Sequence, residues 1–159
     1  MRLFRSGLIA LAALVPLGCG MSASPADGLT FRAPAGWQSS PGIMGFMQFW
    51  RPPSNDREVL MLFKSPKPLK PNEVFSNSQL NDAVKDVSIE RRAEITICGR
   101  QPATYVEARG SSARGGDERV ELVLTTTGGG SYIAMYVRPL VGTPNPAAEA
   151  ALRELCTKT

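Results

Sequence analysis

The chain of 159 residues has no histidine, only three cysteines and few aromatic residues. Without histidine, neither a Ser–His nor a Cys–His nucleophile can form. The cysteines form no C-x-x-C pair, so they match no common redox or zinc motif. No serine lies in a G-x-S-x-G turn, and the glycines at 128–130 lack the lysine of a phosphate-binding loop. We therefore expect no catalytic, cofactor-binding or metal-binding residues, and a protein that is not an enzyme.

Carboxylates are the remaining candidates for catalysis. Glu107 and Glu121 lie in the middle of predicted strands and could share one sheet face, where two acids could hydrolyse a glycoside. Arg109 alternates onto the same face as Glu107. Cross-strand ion pairing therefore accounts for these acids without catalysis.

Neither sign of charge dominates the chain. There are 18 lysine and arginine residues against 14 aspartate and glutamate residues, a formal net charge of +4. Arg2 and Arg5 lie in the N-terminal stretch described below as an export signal. Without them, 16 basic residues face 14 acidic ones, a net charge of 16 − 14 = +2. This excess is too small to indicate a nucleic-acid partner. With 43% hydrophobic and 20% charged residues, the composition is that of a folded globular domain.

Long apolar runs are also missing, and the one at the N-terminus is short. Arg2 and Arg5 precede an apolar stretch at 7–17, after which Cys19 stands between two glycines. A membrane-spanning helix needs roughly 20 apolar residues, so this run suits the core of an export signal instead. The basic start, the short apolar run and the cysteine among small residues resemble the signal and lipobox of bacterial lipoproteins.

That resemblance implies that residues 1–18 are a lipoprotein-type signal peptide and that Cys19 is acylated, with palmitate or a similar chain, as the first residue of the mature protein. Small and polar residues make 19–28 a tether. Residues 29–159 then form a single domain, anchored to the outer side of a bacterial membrane. Its partners would be the membrane, through the N-terminal lipid, and an envelope protein.

The alternative is an ordinary secretory signal that is cut between residues 21 and 26. Cys19 would then be discarded with the signal, and the mature chain would be a soluble periplasmic or secreted protein. No A-x-A cleavage site lies in that stretch.

If Cys19 carries lipid, two cysteines remain. In an exported protein, an even pair is typical of a disulfide, so we expect a bond between Cys98 and Cys156. It would tie the end of a central strand to the last helix. A redox pair and a metal site are the rival interpretations, but the chain offers neither a C-x-x-C motif nor histidine.

Patterns of hydrophobic residues and turn residues predict the elements of the domain. Helices are predicted between Glu73 and Val84 and from Asn145–Pro146 to Cys156. The stretch KSPKPLKPN at 64–72 is predicted to be an extended, solvated connector, with contact to anionic lipid or an acidic partner as the alternative. Strands are predicted at 29–32, 46–50, 59–63, 87–97, 103–110, 118–126 and 131–138. The stretch 87–97 is either one long strand or two strands broken near Arg91 and Arg92.

This order predicts an α+β fold in which a large antiparallel sheet of about six to seven strands is covered by two helices. Alternation in the last two strands predicts one buried and one more polar sheet face. The element order and the turn Pro34-Ala35-Gly36-Trp37 resemble the PsbP/Mog1-like group. The resemblance implies that fold and a function in docking on other proteins. No site residue carries over, because the chain lacks the histidine used by photosystem members.

Two functions follow as hypotheses. The first is a non-enzymatic interaction or accessory module at the membrane, because tyrosines mixed with arginine are typical of contact surfaces. The second is a carrier of a small apolar ligand held between sheet and helix. The candidate interaction face consists of Tyr105, Glu107, Arg109, Tyr132 and Tyr136.

Overall fold

A computed structural model of the chain describes residues 28–42, 46–54, 57–76, 84–112 and 115–157. The predicted signal, Cys19 and the tether up to residue 27 lie outside the described residues. The elements, in chain order, are β1 (Leu29–Thr30), β2 (Gln38–Pro41), β3 (Phe46–Arg51), β4 (Val59–Ser65), α1 (Pro71–Phe75), β5 (Val84–Ile97), β6 (Gln101–Ser112), β7 (Asp117–Thr127), β8 (Gly130–Pro139), α2 (Pro146–Leu152) and β9 (Cys156–Thr157).

Seven strands form one antiparallel sheet in the order β2-β3-β4-β8-β7-β6-β5. This confirms the predicted large antiparallel sheet. A second sheet pairs β1 with β9 and was not predicted, since each of its strands has only two residues. Strand β2 was also missed, because its sequence, QSSP, is polar and lies at a sheet edge where no apolar alternation is required.

Both faces of the central strands are buried. On one face, here the α1 face, Leu122 and Met135 pack with Val74 of α1. On the other, here the α2 face, Val123 and Ala134 pack with the helix α2. The expectation of one more polar sheet face was therefore wrong for β7 and β8, whereas burial on both faces of β4 agrees with its continuous apolar run. The α2 face is apolar at its centre because α2 and the segment that follows β1 cover it.

The helices are shorter than predicted, so they cover the sheet only in part. Asn145 caps α2 as expected, since its side chain accepts a hydrogen bond from the backbone N–H of Ala147 at 3.0 Å. The helix ends at Leu152, however, and Cys156 lies in a strand opposite Thr30. Leu29, Phe31, Ala33 and Leu155 complete the cover of the α2 face.

The first predicted helix is also different. Helix α1 begins at Pro71 and ends at Phe75. Residues 77–83 lie outside the described residues, and Val84 begins β5 instead of ending a helix. Within the described ranges, no helix is long and apolar enough to cross a membrane.

A disulfide joins Cys98 to Cys156, as predicted, with their Cα atoms 5.7 Å apart. Cys98 follows β5 directly, and β5 is an edge strand, not the central strand that was expected. Cys156 lies in β9, not in a helix. The bond therefore fastens the small β1–β9 sheet to one edge of the large sheet.

Candidate functional site: a charged sheet face

The five residues of the predicted interaction face lie on the same side of the sheet. Glu107 is directly opposite Glu121, which is in turn opposite Tyr136. Because alternate residues of a strand share a face, Tyr105 and Arg109 lie on this face with Glu107, and Tyr132 lies on it with Tyr136. This side is the α2 face.

Two of the five cannot form an exposed contact surface. Tyr132 is 8% exposed and Tyr136 is fully buried, because both lie in the core beneath α2 and the N-terminal segment. The hydroxyl of Tyr136 donates a hydrogen bond to Glu58 at 2.8 Å and accepts one from the N–H of Asn145 at 3.2 Å. Burial raises the pKa of Tyr136. We conclude that Tyr136 helps to position the start of α2.

A buried carboxylate marks the boundary between this core and the exposed part of the face. Glu121 is only 5% exposed. Its carboxylate accepts a hydrogen bond from the hydroxyl of Tyr105 at 3.1 Å and pairs with the guanidinium of Arg138 at 3.4 Å. Burial raises the pKa of Glu121, and the hydrogen bond from Tyr105 opposes that rise. Burial and the nearby carboxylates of Glu121 and Glu107 raise the pKa of Tyr105.

Ion pairs cover the exposed part of the face. Arg91 pairs with Glu107 at 3.3 Å, and Arg109 pairs with Glu90 at 3.0 Å. Glu90 also pairs with Arg119. The side chains of Arg91 and Arg109 are 64% and 50% exposed. We call these five residues the charged face: Glu90, Arg91, Glu107, Arg109 and Arg119.

Cross-strand ion pairs engage these residues, as expected from the sequence. The carboxylate beside Arg109 belongs to Glu90 of the neighbouring strand β5. The pairing of β5 with β6 shifts between Ile89 and Arg91, and an extra residue at such a bulge re-aims a side chain. Glu107 pairs instead with Arg91, which lies directly opposite it.

Arginines lie opposite one another along this face. Arg109 of β6 is opposite Arg119 of β7, and Arg119 is opposite Arg138 of β8. Like charges directly opposite each other destabilise a sheet pair. Glu90 relieves part of this repulsion by pairing with two of the three arginines.

A cleft of about 410 Å³ lies between α2 and the strands β6 and β7, beside Tyr105 and Glu121. The guanidinium of Arg153, just after α2, lies 6.0 Å from the centre of the Tyr105 ring. Glutamates and an arginine line much of this cleft, so it is a poor site for an apolar ligand. The lining residues are Tyr105, Glu121, Pro146, Glu149, Ala150, Leu152 and Arg153.

The two acids that could have acted in catalysis are already engaged. Glu107 pairs with Arg91, and Glu121 pairs with Arg138 and accepts a hydrogen bond from Tyr105. Within the part of the chain that the structure describes, no group of three or more His, Cys, Asp or Glu side chains could hold a metal ion. The arrangement suits electrostatic contact with another molecule.

Comparisons with known proteins show the fold. The solution structure of cyanobacterial PsbP (CyanoP) from Synechocystis sp. PCC 6803 matches with a TM-score of 0.57 and 16% identity, over 82% of this chain and 87% of that chain. The fold is PsbP-like. A crystal structure from Bacteroides thetaiotaomicron matches with a TM-score of 0.56 and 14% identity, over 86% of this chain and 47% of that chain.

A scan against protein-family models and a search of curated proteins give no match. The PsbP-like fold is therefore shown by structure alone. The predicted resemblance to PsbP is confirmed at the level of the fold.

Sequence reasoning missed three members of the charged face. Glu90, Arg91 and Arg119 were not singled out, although Arg119 follows Arg109 onto the same face in the register of β6 and β7. Strand alternation could have found Arg119. A break near Arg91 and Arg92 was one of the two interpretations of this strand, and the structure has a register shift between Ile89 and Arg91 within one continuous β5.

Proposed function

We propose that the chain is a non-enzymatic accessory module, held at the outer side of a bacterial membrane by lipid on Cys19, which docks on an envelope protein through its charged face. The partner would present acidic groups to Arg91 and Arg109. The PsbP-like fold supports this proposal, because docking on other proteins is the function that the resemblance implies.

The facing arginines carry the argument. Arg109, Arg119 and Arg138 occupy opposite positions in three neighbouring strands, which costs stability unless something offsets the repulsion. Exposed ion pairs such as Arg109–Glu90 contribute only about 0–1 kcal/mol each. Stability is therefore a weak reason for this arrangement. Exposed charges of defined sign do steer a partner and select against wrong ones.

The disulfide supports the proposed location. Bonds such as Cys98–Cys156 persist in oxidising compartments and are rare in the cytosol. An extracytoplasmic domain is also what the lipoprotein-like leader implies. In our proposal, lipid on Cys19 holds this extracytoplasmic domain at the membrane surface.

No specific observation favours the carrier of an apolar ligand. The cleft beside α2 presents Glu121, Glu149 and Arg153. A second cleft, near the disulfide, is lined by polar groups such as Gln101, Thr126 and Thr157. Binding of an apolar ligand would leave these groups without water, and burial of unpaired polar groups is costly.

Site-specific photo-crosslinking in the native bacterium tests the docking surface. A photoreactive amino acid would replace Arg91 or Arg109 in the charged face. Gln38 and Arg51, which are exposed near the opposite edge of the sheet, would be replaced as controls. We expect the first two positions to crosslink to one and the same envelope protein, and the two controls not to do so.

Arg109→Gln separates docking from folding. Removal of the positive charge at position 109 relieves the repulsion from Arg119, so we expect the free energy of unfolding to change by no more than about 0.5 kcal/mol. Crosslinking from position 91 should fall about tenfold, which corresponds to about 1.4 kcal/mol of lost affinity. Equal crosslinking from all four positions, or an unchanged yield in the Arg109→Gln variant, would contradict the proposal.

A further inference from the structure

Three exposed lysines follow one another along the chain from the end of β4 to the start of α1. The segment 64–70, here the lysine connector, comprises the last two residues of β4 and the chain that leads to α1, and it exposes Lys64, Lys67 and Lys70. It lies near the end of the sheet at which β8 begins, because Ser65 is opposite Ser131. No part of the proposed docking surface uses these lysines.

The backbone of the lysine connector is fixed by hydrogen bonds. The N–H of Lys67 donates to the hydroxyl of Ser65 at 3.1 Å, and the N–H of Leu69 donates to the hydroxyl of Ser131 at 2.8 Å. The N–H of Lys70 donates to the carboxylate of Glu73 at 2.6 Å. Two prolines at 66 and 68 stiffen it further. The lysines are thus presented from an ordered segment.

The N-terminal tether enters the domain beside this connector. Gly28 is the first described residue, and a Cβ atom on it would lie 3.4 Å from the hydroxyl of Tyr132. The ammonium of Lys64 lies 5.4 Å from the centre of the same ring. The chain that leads back to Cys19 therefore meets the domain at its lysine-bearing end.

We propose that the lysine connector contacts anionic phospholipid headgroups of the membrane in which the lipid on Cys19 is anchored. This inference rests on the proposed lipid anchor. Cys19 and Gly28 are nine positions apart in the chain, which allows a distance of at most about 30 Å if extended and about 16 Å on average for a flexible chain. The Debye length at physiological salt is about 8 Å, so the connector can enter the range of the surface charge.

The proposal also orients the charged face. Arg109 is opposite Ser88 near the start of β5, whereas Cys98 and the tether side lie at the end of this strand. The ten positions from Ser88 to Cys98 span about 33 Å, and the seven from Arg91 to Cys98 span about 23 Å. With Lys64 and Lys67 on the headgroups, Arg109 lies toward the far end of β5, whereas Arg91 lies nearer the connector, since its neighbour Arg92 donates a hydrogen bond to Asn72 of α1.

Lysine footprinting on vesicles tests this contact. The full chain, purified from a bacterial membrane fraction, would be reconstituted into vesicles of phosphatidylcholine alone or of phosphatidylcholine and phosphatidylglycerol in equal parts. An amine-reactive reagent and mass spectrometry would then report the labelling of each lysine. Lys85, exposed near the start of β5, is the internal reference.

We expect the labelling of Lys64, Lys67 and Lys70 relative to Lys85 to fall about fivefold in the anionic vesicles, which corresponds to about 1 kcal/mol of attraction per lysine. In about 1 M salt, where the Debye length is about 3 Å, labelling should recover. Equal labelling in the two kinds of vesicle would overturn the headgroup contact. Failure of the chain to float with phosphatidylcholine vesicles would instead contradict the lipid anchor.

A charge-reversal pair provides a second, independent measurement. In the K67E/K70E variant, the protection of Lys64 in anionic vesicles should be lost, while flotation is retained. The R51E/R57E variant changes the net charge equally, at exposed positions outside the connector, leaves the reference Lys85 in place and should keep that protection. Protection of Lys64 that survives K67E/K70E, or that is lost equally in both variants, would refute the proposed surface.

Discussion

Loss of the disulfide should destabilise the domain strongly, since it closes a long loop. Cys98 and Cys156 are separated by 58 residues. The chain-entropy relation gives about 4 kcal/mol of stabilisation at 25 °C for a loop of this length. At about 2–4 °C per kcal/mol for a domain of this size, we expect Tm to fall by about 8–16 °C in the C98S/C156S variant.

Without the disulfide, the small β1–β9 sheet should lose stability before the large sheet does. Strands β1 and β9 pair through two residues each, and Cys156 is one of them. The N–H of Thr157 donates to the side chain of Gln101 at 2.9 Å, which is the neighbouring link to the large sheet. Without the disulfide, amide exchange at Thr157 should therefore accelerate more than exchange at Leu122 in the central strand β7.

Urea unfolding of the wild-type chain and of C98S/C156S measures the difference in the free energy of unfolding, and amide exchange locates it. The oxidised and the reduced, alkylated wild-type chains provide a control that contains no substitution. A difference below about 1 kcal/mol would refute the entropic account, since the loop would then be held closed by other contacts. Equal acceleration of amide exchange in β7 and β9 would refute the prediction that the small β1–β9 sheet loses stability first.

Three further substitutions test the α2 face and the connector. Burial raises the pKa of Glu121, so the folded chain retains this proton above pH 4.5, and the stability it contributes is lost as pH rises through the raised pKa. Glu121→Gln should remove that part of the decline in stability with pH. Asn145→Ala removes the cap of α2 and should cost about 1 kcal/mol. Gly130→Ala places a Cβ atom 2.8 Å from the carbonyl oxygen of Ser65 and should cost about 1–3 kcal/mol.

Each of these has a direct measurement. Urea unfolding at a series of pH values compares Glu121→Gln with the wild-type chain. If the free energy of unfolding depends on pH in the same way in both chains, the raised pKa of Glu121 is contradicted. For α2, Asn145→Ser should retain most of the stability, because serine also caps helices. Equal losses in Asn145→Ala and Asn145→Ser would rule out capping. An unchanged unfolding midpoint in Gly130→Ala would show that the backbone at Ser65 yields without cost.

The strands of the central sheet could be predicted because their apolar residues alternate. Leu122 and Leu124 in β7, and Ile133 and Met135 in β8, mark the α1 face by their spacing. The burial of the opposite face could not be predicted in the same way. Its residues include Tyr136, whose hydroxyl finds partners only after Glu58 and Asn145 are brought to it by the fold. In the sequence, a polar residue such as Tyr136 that the fold buries looks the same as one that lies on an exposed face.

The charged face was predicted only in part, for a similar reason. Glu107 and Arg109 could be placed on one face from strand alternation alone. Their partners depend on the register of β5, which shifts before Arg91. The cysteine count, in contrast, predicted the Cys98–Cys156 bond directly, because a disulfide needs only two available thiols and a fold that brings them together.

The most direct test of the account is the intact mass of the protein purified from a bacterial membrane fraction, with and without reductant and alkylation. We predict an N-terminus at Cys19 that carries acyl mass, and two further thiols that react only after reduction. An unacylated chain that begins after Cys19 would contradict the membrane-anchored module and leave a diffusing binding protein in its place.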